Sequence, residues 1–150
     1  MAITGSGLYF LTVEKMLIDT FGDSLEAEDH TLALVDDSHT PAFDTHDFAA
    51  DLTNEATGGN YAREPVTSTE LTVSSGILTY DAADTVFDNG GSNDVTITDA
   101  MASVLIRTTG SDATAELIML HDFVTAASCF NSTFTVQWNA SGLLTIDLVP

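Results

Sequence analysis

The sequence predicts a mainly β fold: a single antiparallel β-sandwich, or a partly open barrel, with a short N-terminal helix and a long, partly helical loop. Three observations predict it. Beyond Arg63 the apolar residues fall in short runs at close intervals: Leu71 and Val73, Ile77 to Tyr80, Thr85 to Phe87, Val95 and Ile97, Met101 to Arg107, and Glu116 to Phe123. Turn-forming residues separate them, at Ser75-Gly76, Asn89-Gly90-Gly91 and Thr109-Gly110-Ser111-Asp112. Helical periodicity is concentrated near the N-terminus. Many short strands with few helices is the pattern of a sandwich or a barrel.

Taken in order, Met1 to Gly7 is small and polar and reads as a flexible leader, leaving residues 8–150 as one β-rich domain. Phe10, Val13, Leu17, Ile18 and Phe21 recur at helical spacing, which predicts a helix from Leu8 to Asp19 ended near Gly22. Tyr9, Leu11 and Met16 lie off that stripe and leave a strand open as an alternative. Thr31-Leu32-Ala33-Leu34-Val35 reads as a short buried strand. The segment from Asp36 to Tyr61 is polar and punctuated by Pro41, Gly58 and Gly59, and Asp44 is expected to cap a short helix through Leu52.

Val104-Leu105-Ile106 and Leu117-Ile118-Met119-Leu120 are near-continuous apolar runs, as expected of central strands covered on both faces. The chain closes on Phe134, Val136 and Trp138 alternating with polar residues. Asn139-Ala140-Ser141-Gly142 follows as a tight connection, and then Leu144, Ile146 and Leu148 alternate in turn. These two halves predict a hairpin. Phe134, Val136, Trp138, Leu144 and Ile146 are its expected core anchors, and the indole N–H of Trp138 is expected to find a partner.

The chain has 150 residues, the common size of one domain, and its single cysteine excludes an internal disulfide. Charge is its most unusual property, since 3 Lys and Arg stand against 23 Asp and Glu for a net charge of −20. Such a field repels phosphate backbones and anionic lipid surfaces, so neither nucleic acid nor membrane is an expected partner. Met1 to Gly7 lacks a basic n-region, so no secretory signal is expected, and no apolar run approaches the length of a membrane span.

The densest set of candidate metal ligands is His39, Asp44, His46 and Asp47. Imidazole with carboxylate suits zinc or iron where three groups converge. The spacing matches no zinc signature, and a short helix would aim His46 and Asp47 in different directions. Asp81 to Asp94 is acidic with Asn and Gly but lacks the twelve-residue calcium loop. No Gly-x-Ser-x-Gly elbow is present, and His121 is the nearest histidine in sequence to Cys129. The reading is therefore a protein that is not an enzyme, with no catalytic residue, cofactor or metal assigned.

Several stretches carry a resemblance. They are Leu34-Val35-Asp36-Asp37-Ser38-His39-Thr40-Pro41, Asp44-Thr45-His46-Asp47-Phe48, Asp51-Leu52, Asn54-Glu55 and Gly59-Asn60-Tyr61. Asp84-Thr85-Val86-Phe87, the run Leu117 to Phe123 and Phe134 to Gly142 extend the set, which spans Leu25 to Ile146 in order. Together they resemble a family of small virion structural proteins of tailed bacteriophages. The chain departs from that family after Tyr61, where Ala62-Arg63-Glu64-Pro65 replaces a second glycine pair.

The resemblance implies a virion location on the outer capsid surface and a role in capsid decoration, as a cement protein whose partner is the major capsid protein. A homo-oligomer is expected with it, a trimer suiting three-fold lattice positions and a dimer two-fold ones. The expected contact elements are Met1 to Phe21 and the loop from Ser38 to Tyr61. Within them the candidate contact residues are Leu8, Tyr9, Phe10, His39, Phe43, His46 and Tyr61. The alternative is a carbohydrate- or receptor-binding module of a tail or head fibre, using exposed Tyr9, Tyr61 or Tyr80.

Overall fold

Strand alternation along the chain resolves into layers in a computed structural model that describes residues 3–18, 24–27, 29–108, 110–147 and 149. In chain order the elements are β1 (Gly7–Leu8), α1 (Phe10–Leu17), β2 (His30–Asp36), a single 3-10 turn (Ala49–Asp51), β3 (Glu64–Pro65), β4 (Glu70–Ser74) and β5 (Ile77–Asp81). They continue with β6 (Thr85–Phe87), β7 (Val95–Arg107), β8 (Glu116–Ser132), β9 (Phe134–Val136) and β10 (Leu144–Asp147). All strand pairs are antiparallel, in a five-stranded sheet of order β1-β8-β7-β2-β3, a three-stranded sheet β10-β5-β4 and a pair β6-β9. The mainly β, sandwich-like fold is as expected; none of these sheets closes into a barrel among the described residues.

The period of two explains the layering. Leu32, Leu34 and Leu105 leave one face of the large sheet and pack with Tyr80, Phe87, Phe134 and Val136 of the small sheets. Ala33, Val35, Val104 and Ile106 leave the other and pack with Ile3, Tyr9 and Ala49, flanked by Phe43 and Leu52. Thus the central strands are covered on both sides, as their unbroken apolar runs require.

One long ribbon, β7 with β8, carries most of the sheet, and its irregularities shape it. Leu105 pairs with Met119 but Ile106 with Leu117, so Ile118 is an extra residue in β8. Ile118 and Met119 consequently point into the same core. Further along, Ala102 pairs with Asp122 and Ala100 with Ala127, so residues 123–126 bulge out of the ladder. These offsets bend the ribbon and return Val95 and Ile97 to the core that Leu105 occupies. Val95, Ile97 and Met101 to Arg107 are accordingly one strand, where the sequence had suggested two.

Val124 sits in the larger bulge at φ 64° and is 79% exposed, a left-handed conformation that a β-branched residue adopts only under strain. The Asp122 carboxylate holds it there by accepting its N–H at 2.7 Å. Val124→Gly is expected to stabilise the protein by about 1 kcal/mol. Thermal unfolding followed by circular dichroism would register this as a rise of about 3 °C.

Several expectations are corrected. The helix starts at Phe10 because Gly7 and Leu8 pair with Leu120 and Met119 of β8, and its expected end, Asp19 to Gly22 with Phe21, lies outside the described residues. Its buried side is Tyr9 and Thr12, whereas Phe10, Leu17 and Ile18 of the expected core stripe are exposed. The leader is anchored from Ile3 onward: Ile3 is buried and the Ser6 hydroxyl accepts the Asp122 N–H at 3.0 Å, with Met1 and Ala2 outside the described residues.

No terminal hairpin forms, because β9 pairs with β6 and β10 with β5. Phe134 and Val136 are buried as expected, and Trp138 and Leu144 are half-buried against the same core. The Trp138 indole N–H donates to the Ala83 carbonyl at 3.1 Å. Ile146 is 38% exposed, since pairing with Leu78 places it on an outer row of the small sheet, and Leu148 lies outside the described residues.

Candidate functional site

The β8 bulge seats the N-terminal segment. An extra residue in a strand disrupts the ladder locally. Here the Ile118 carbonyl accepts the Tyr9 N–H at 3.0 Å, and the Leu117 carbonyl accepts the Thr12 hydroxyl. Helix α1 is therefore docked by its polar backbone-facing side. Its apolar stripe is left to face outward, contrary to what amphipathic patterning alone suggests.

Beside α1, residues 37–55 lie over the large sheet and are stitched to it by main-chain bonds: Ala49 N–H to Ala115 O at 2.7 Å, Leu117 N–H to Asp47 O at 2.9 Å and Asp36 N–H to Asn54 O at 3.1 Å. The expected helix capped by Asp44 is reduced to the 3-10 turn, and the capping carboxylate is Asp51, which accepts the N–H groups of Asp47 and Phe48 at 2.9 and 3.0 Å. Those two bonds hold its pKa below the usual carboxylate range. Phe43 packs on Tyr9 with ring centroids 5.2 Å apart and closes over Gly7, where a Cβ would stand 2.9 Å from the Phe43 ring.

Of the expected contact residues, Tyr9, Phe10, His39, Phe43 and His46 belong to this α1-and-loop layer, while Leu8 packs against the core on the other side of the large sheet. Tyr61 lies on the opposite side of the large sheet, stacked on Phe87 at 5.9 Å. Its hydroxyl accepts the Leu34 N–H at 2.9 Å and donates to Glu55 at 3.0 Å, which is a structural role. Tyr9 and His39 are buried and frame the layer from beneath; they do not reach its surface. Burial, with Asp51 adding a smaller effect, pushes the Tyr9 phenol up. Leu8, Phe43 and His46 are half-buried, and Phe10 at 61% exposure is the member of the set that faces solvent.

His39 accepts the Thr53 N–H at Nδ1 (3.3 Å), and its pKa is lowered chiefly by burial and then by the neighbouring His46, whose ring centroid is 6.1 Å away. Asp47 is committed to Lys15 at 2.7 Å and Asp44 is exposed, so the four candidate ligands do not converge. Among the described residues no group of three or more His, Cys, Asp or Glu is placed to hold a metal ion. In the acidic stretch near Asp88 the carboxylates serve turns: Asp88 accepts the Gly91 N–H and Asp94 the Asn89 amide, each at 2.9 Å. Cys129 is half-buried with its thiol on the Val95 carbonyl at 3.4 Å.

What sequence reasoning missed is an apolar cleft of about 180 Å³ between α1 and the β10-β5-β4 sheet. Val13, Met16 and Leu17 form one wall and Leu71, Leu78 and Ile146 the other, with Ile118 and Met119 also lining it. Alternation and register explain the second wall, because Leu71, Tyr80 and Leu144 form one cross-strand row and Val73, Leu78 and Ile146 the next, on one face. The outer row projects beyond the core, leaving Val73 69% exposed, and across the cleft Leu17 of α1 is 81% exposed. The helical stripe was visible in sequence; which side of it faced solvent depended on the β8 bulge.

Electrostatics set this apolar face in a uniformly anionic body. All three basic residues are paired with carboxylates: Lys15 with Asp47 and Glu116, Arg63 with Glu55 and Asp112, and Arg107 with Glu116 and Asp29. Among the described residues no helix is long and apolar enough to cross a membrane. Comparison with protein-family models, curated proteins and solved structures finds no match to this chain.

Proposed function

We propose that the chain is a structural protein of a bacteriophage virion, a capsid decoration or cement protein that adheres to the outer face of the major capsid lattice. In this reading the partner is the major capsid protein, the copies assemble as trimers or dimers at lattice axes, and no bond is made or broken. The observation that carries it is the outward apolar face of α1, with Phe10, Leu17 and Ile18 exposed beside an open apolar cleft on an anionic body. Apolar side chains exposed beside an open apolar cleft are the kind of surface that interaction sites use. Weak contacts per copy act together when many copies engage one lattice, because avidity multiplies affinities where geometry permits.

The sugar-binding alternative draws no comparable support. Its aromatic platform would have been Tyr9, Tyr61 or Tyr80, and Tyr9 and Tyr80 are fully buried while the Tyr61 hydroxyl is engaged. Cryo-electron microscopy of the particles that carry this chain tests the proposal. Density for the β body at lattice stoichiometry on the outer shell is the expected result. Its confinement to a fibre or tail tip, or its absence from particles, would overturn the assignment.

A further inference from the structure

We infer that the cleft between α1 and the β10-β5-β4 sheet is the docking site for a basic amphipathic segment of a protein partner, one that inserts apolar side chains and presents lysine or arginine to the rim. The inference rests on the reading that this chain adheres to a larger protein assembly, and it names the surface and the chemistry of the contact.

The lining supplies the apolar half of the match. The cleft is walled by leucine, isoleucine, valine and methionine side chains, and Leu17 and Ile146 at its margin are already 81% and 38% exposed. An occupant that buries such side chains gains roughly 25 cal/mol per Å² of apolar surface removed from water.

Charge supplies the other half. Carboxylates stand on the helix side of the cleft, Glu14 on α1 and Glu26 beside Leu25, whereas Glu70 and Asp147 alternate onto the opposite face of the small sheet from Leu71 and Ile146. Glu26 already accepts the Leu71 N–H at 3.4 Å, which brings its carboxylate to the margin of the lining. Lys15, the only cation on α1, is turned away from the cleft to Asp47 and Glu116. The helix side of the rim, on a body of net charge −20, therefore complements a positive segment. A second copy of a chain carrying net charge −20 meets like charge instead, and anionic lipid is repelled for the same reason.

The test uses a fluorescent peptide with leucine at helical spacing and lysine elsewhere, beside two controls: one with glutamate in place of lysine, one with serine in place of leucine. Fluorescence anisotropy at about 0.15 M salt screens long-range attraction. Expected is binding of the lysine-leucine peptide alone, weakened about tenfold by the double variant Leu17→Gln, Ile146→Thr and unchanged in Phe130→Gln, an 84% exposed residue that does not line the cleft. Both altered side chains are exposed, so the variants keep the fold, which thermal unfolding verifies.

No binding, or equal binding to wild type and double variant, would overturn the inference. So would sedimentation showing self-association abolished by the double variant, because the occupant would then be a second copy. Particle occupancy separates the two proposals. A double variant that loses the peptide yet decorates particles normally sinks the cleft as the capsid contact and leaves decoration standing. Wild-type protein that is absent from particles yet holds the peptide in the cleft sinks decoration and leaves the cleft standing.

Discussion

Replacing Glu116 by alanine is expected to lower stability by about 3 kcal/mol, because removing one partner strands the other charges of a largely buried pair. Glu116 is 7% exposed at the start of β8, and its carboxylate meets the Arg107 guanidinium at 2.6 Å and the Lys15 ammonium at 3.3 Å. Lys15 also lies 4.5 Å from the Phe48 ring centroid, so the cluster ties α1, the 37–55 loop and the β7–β8 ribbon together. Asp47 and Asp29 still hold Lys15 and Arg107 in the variant, which sets the expected loss at the low end for a broken buried pair. Urea unfolding, which adds no ions, measures it. The double variant Glu116→Leu, Arg107→Met should recover much of the loss, since an apolar pair of similar volume costs far less than an unpaired charge. A single variant with an unchanged midpoint would show that the cluster is only decorative.

Acid should destabilise the protein through His121, in a pH window set by one half-buried ring. The imidazole packs against Trp138 with centroids 5.1 Å apart, and burial pushes its pKa down from 6.5 to about 4. Above pH 6.5 the ring is neutral in folded and unfolded chains alike, and no penalty arises. As the pH falls from 6.5 to about 4 the unfolded chain binds the proton and the folded chain does not. Stability drops by about 1.4 kcal/mol per unit, or about 3 kcal/mol across the window. Burial lowers His39 as well, so it acts in the same direction.

Other groups titrate in both proteins, so the informative quantity is the difference between wild type and His121→Phe. Urea midpoints at pH 7.5 and pH 4.5 should draw closer in the variant by about 2 kcal/mol. Equal gaps would show that the ring is not held neutral by its surroundings.

The strands were legible wherever period-two alternation coincided with a buried face: Thr85 to Phe87 and Ile77 to Tyr80 stand almost where the pattern put them. Partnership was not legible. β9 and β10 are separated by a tight connection that suits a hairpin, yet β9 pairs with β6 and β10 with β5, strands that lie far earlier in the chain. Local turn chemistry is blind to such long-range pairing. The helix was legible as a helix, but its orientation was not. The side that docks is chosen by the Leu117 and Ile118 carbonyls, more than a hundred residues away, through a bulge with no sequence signature of its own.

For the same reason the contact set read from sequence was half frame and half surface. Tyr9 and His39 support the layer from below, Phe10 faces outward, and Tyr61 serves the other core. The cleft combines α1 with a sheet assembled from two distant hairpin arms and a late strand. Residues so separated in the chain share no pattern that a linear reading can detect.

The pairing of all three cations with carboxylates makes the response to ionic strength one-sided. In an ordinary protein, dissolved ions weaken attractive and repulsive surface pairs together, and the two effects largely cancel. Here the few attractions are half-buried, except for the exposed contact to Asp112, while the excess of carboxylates faces the solvent, so brine relaxes the repulsions more than the attractions. The molecule is thereby fitted to concentrated electrolyte, and in dilute buffer it works against its own field.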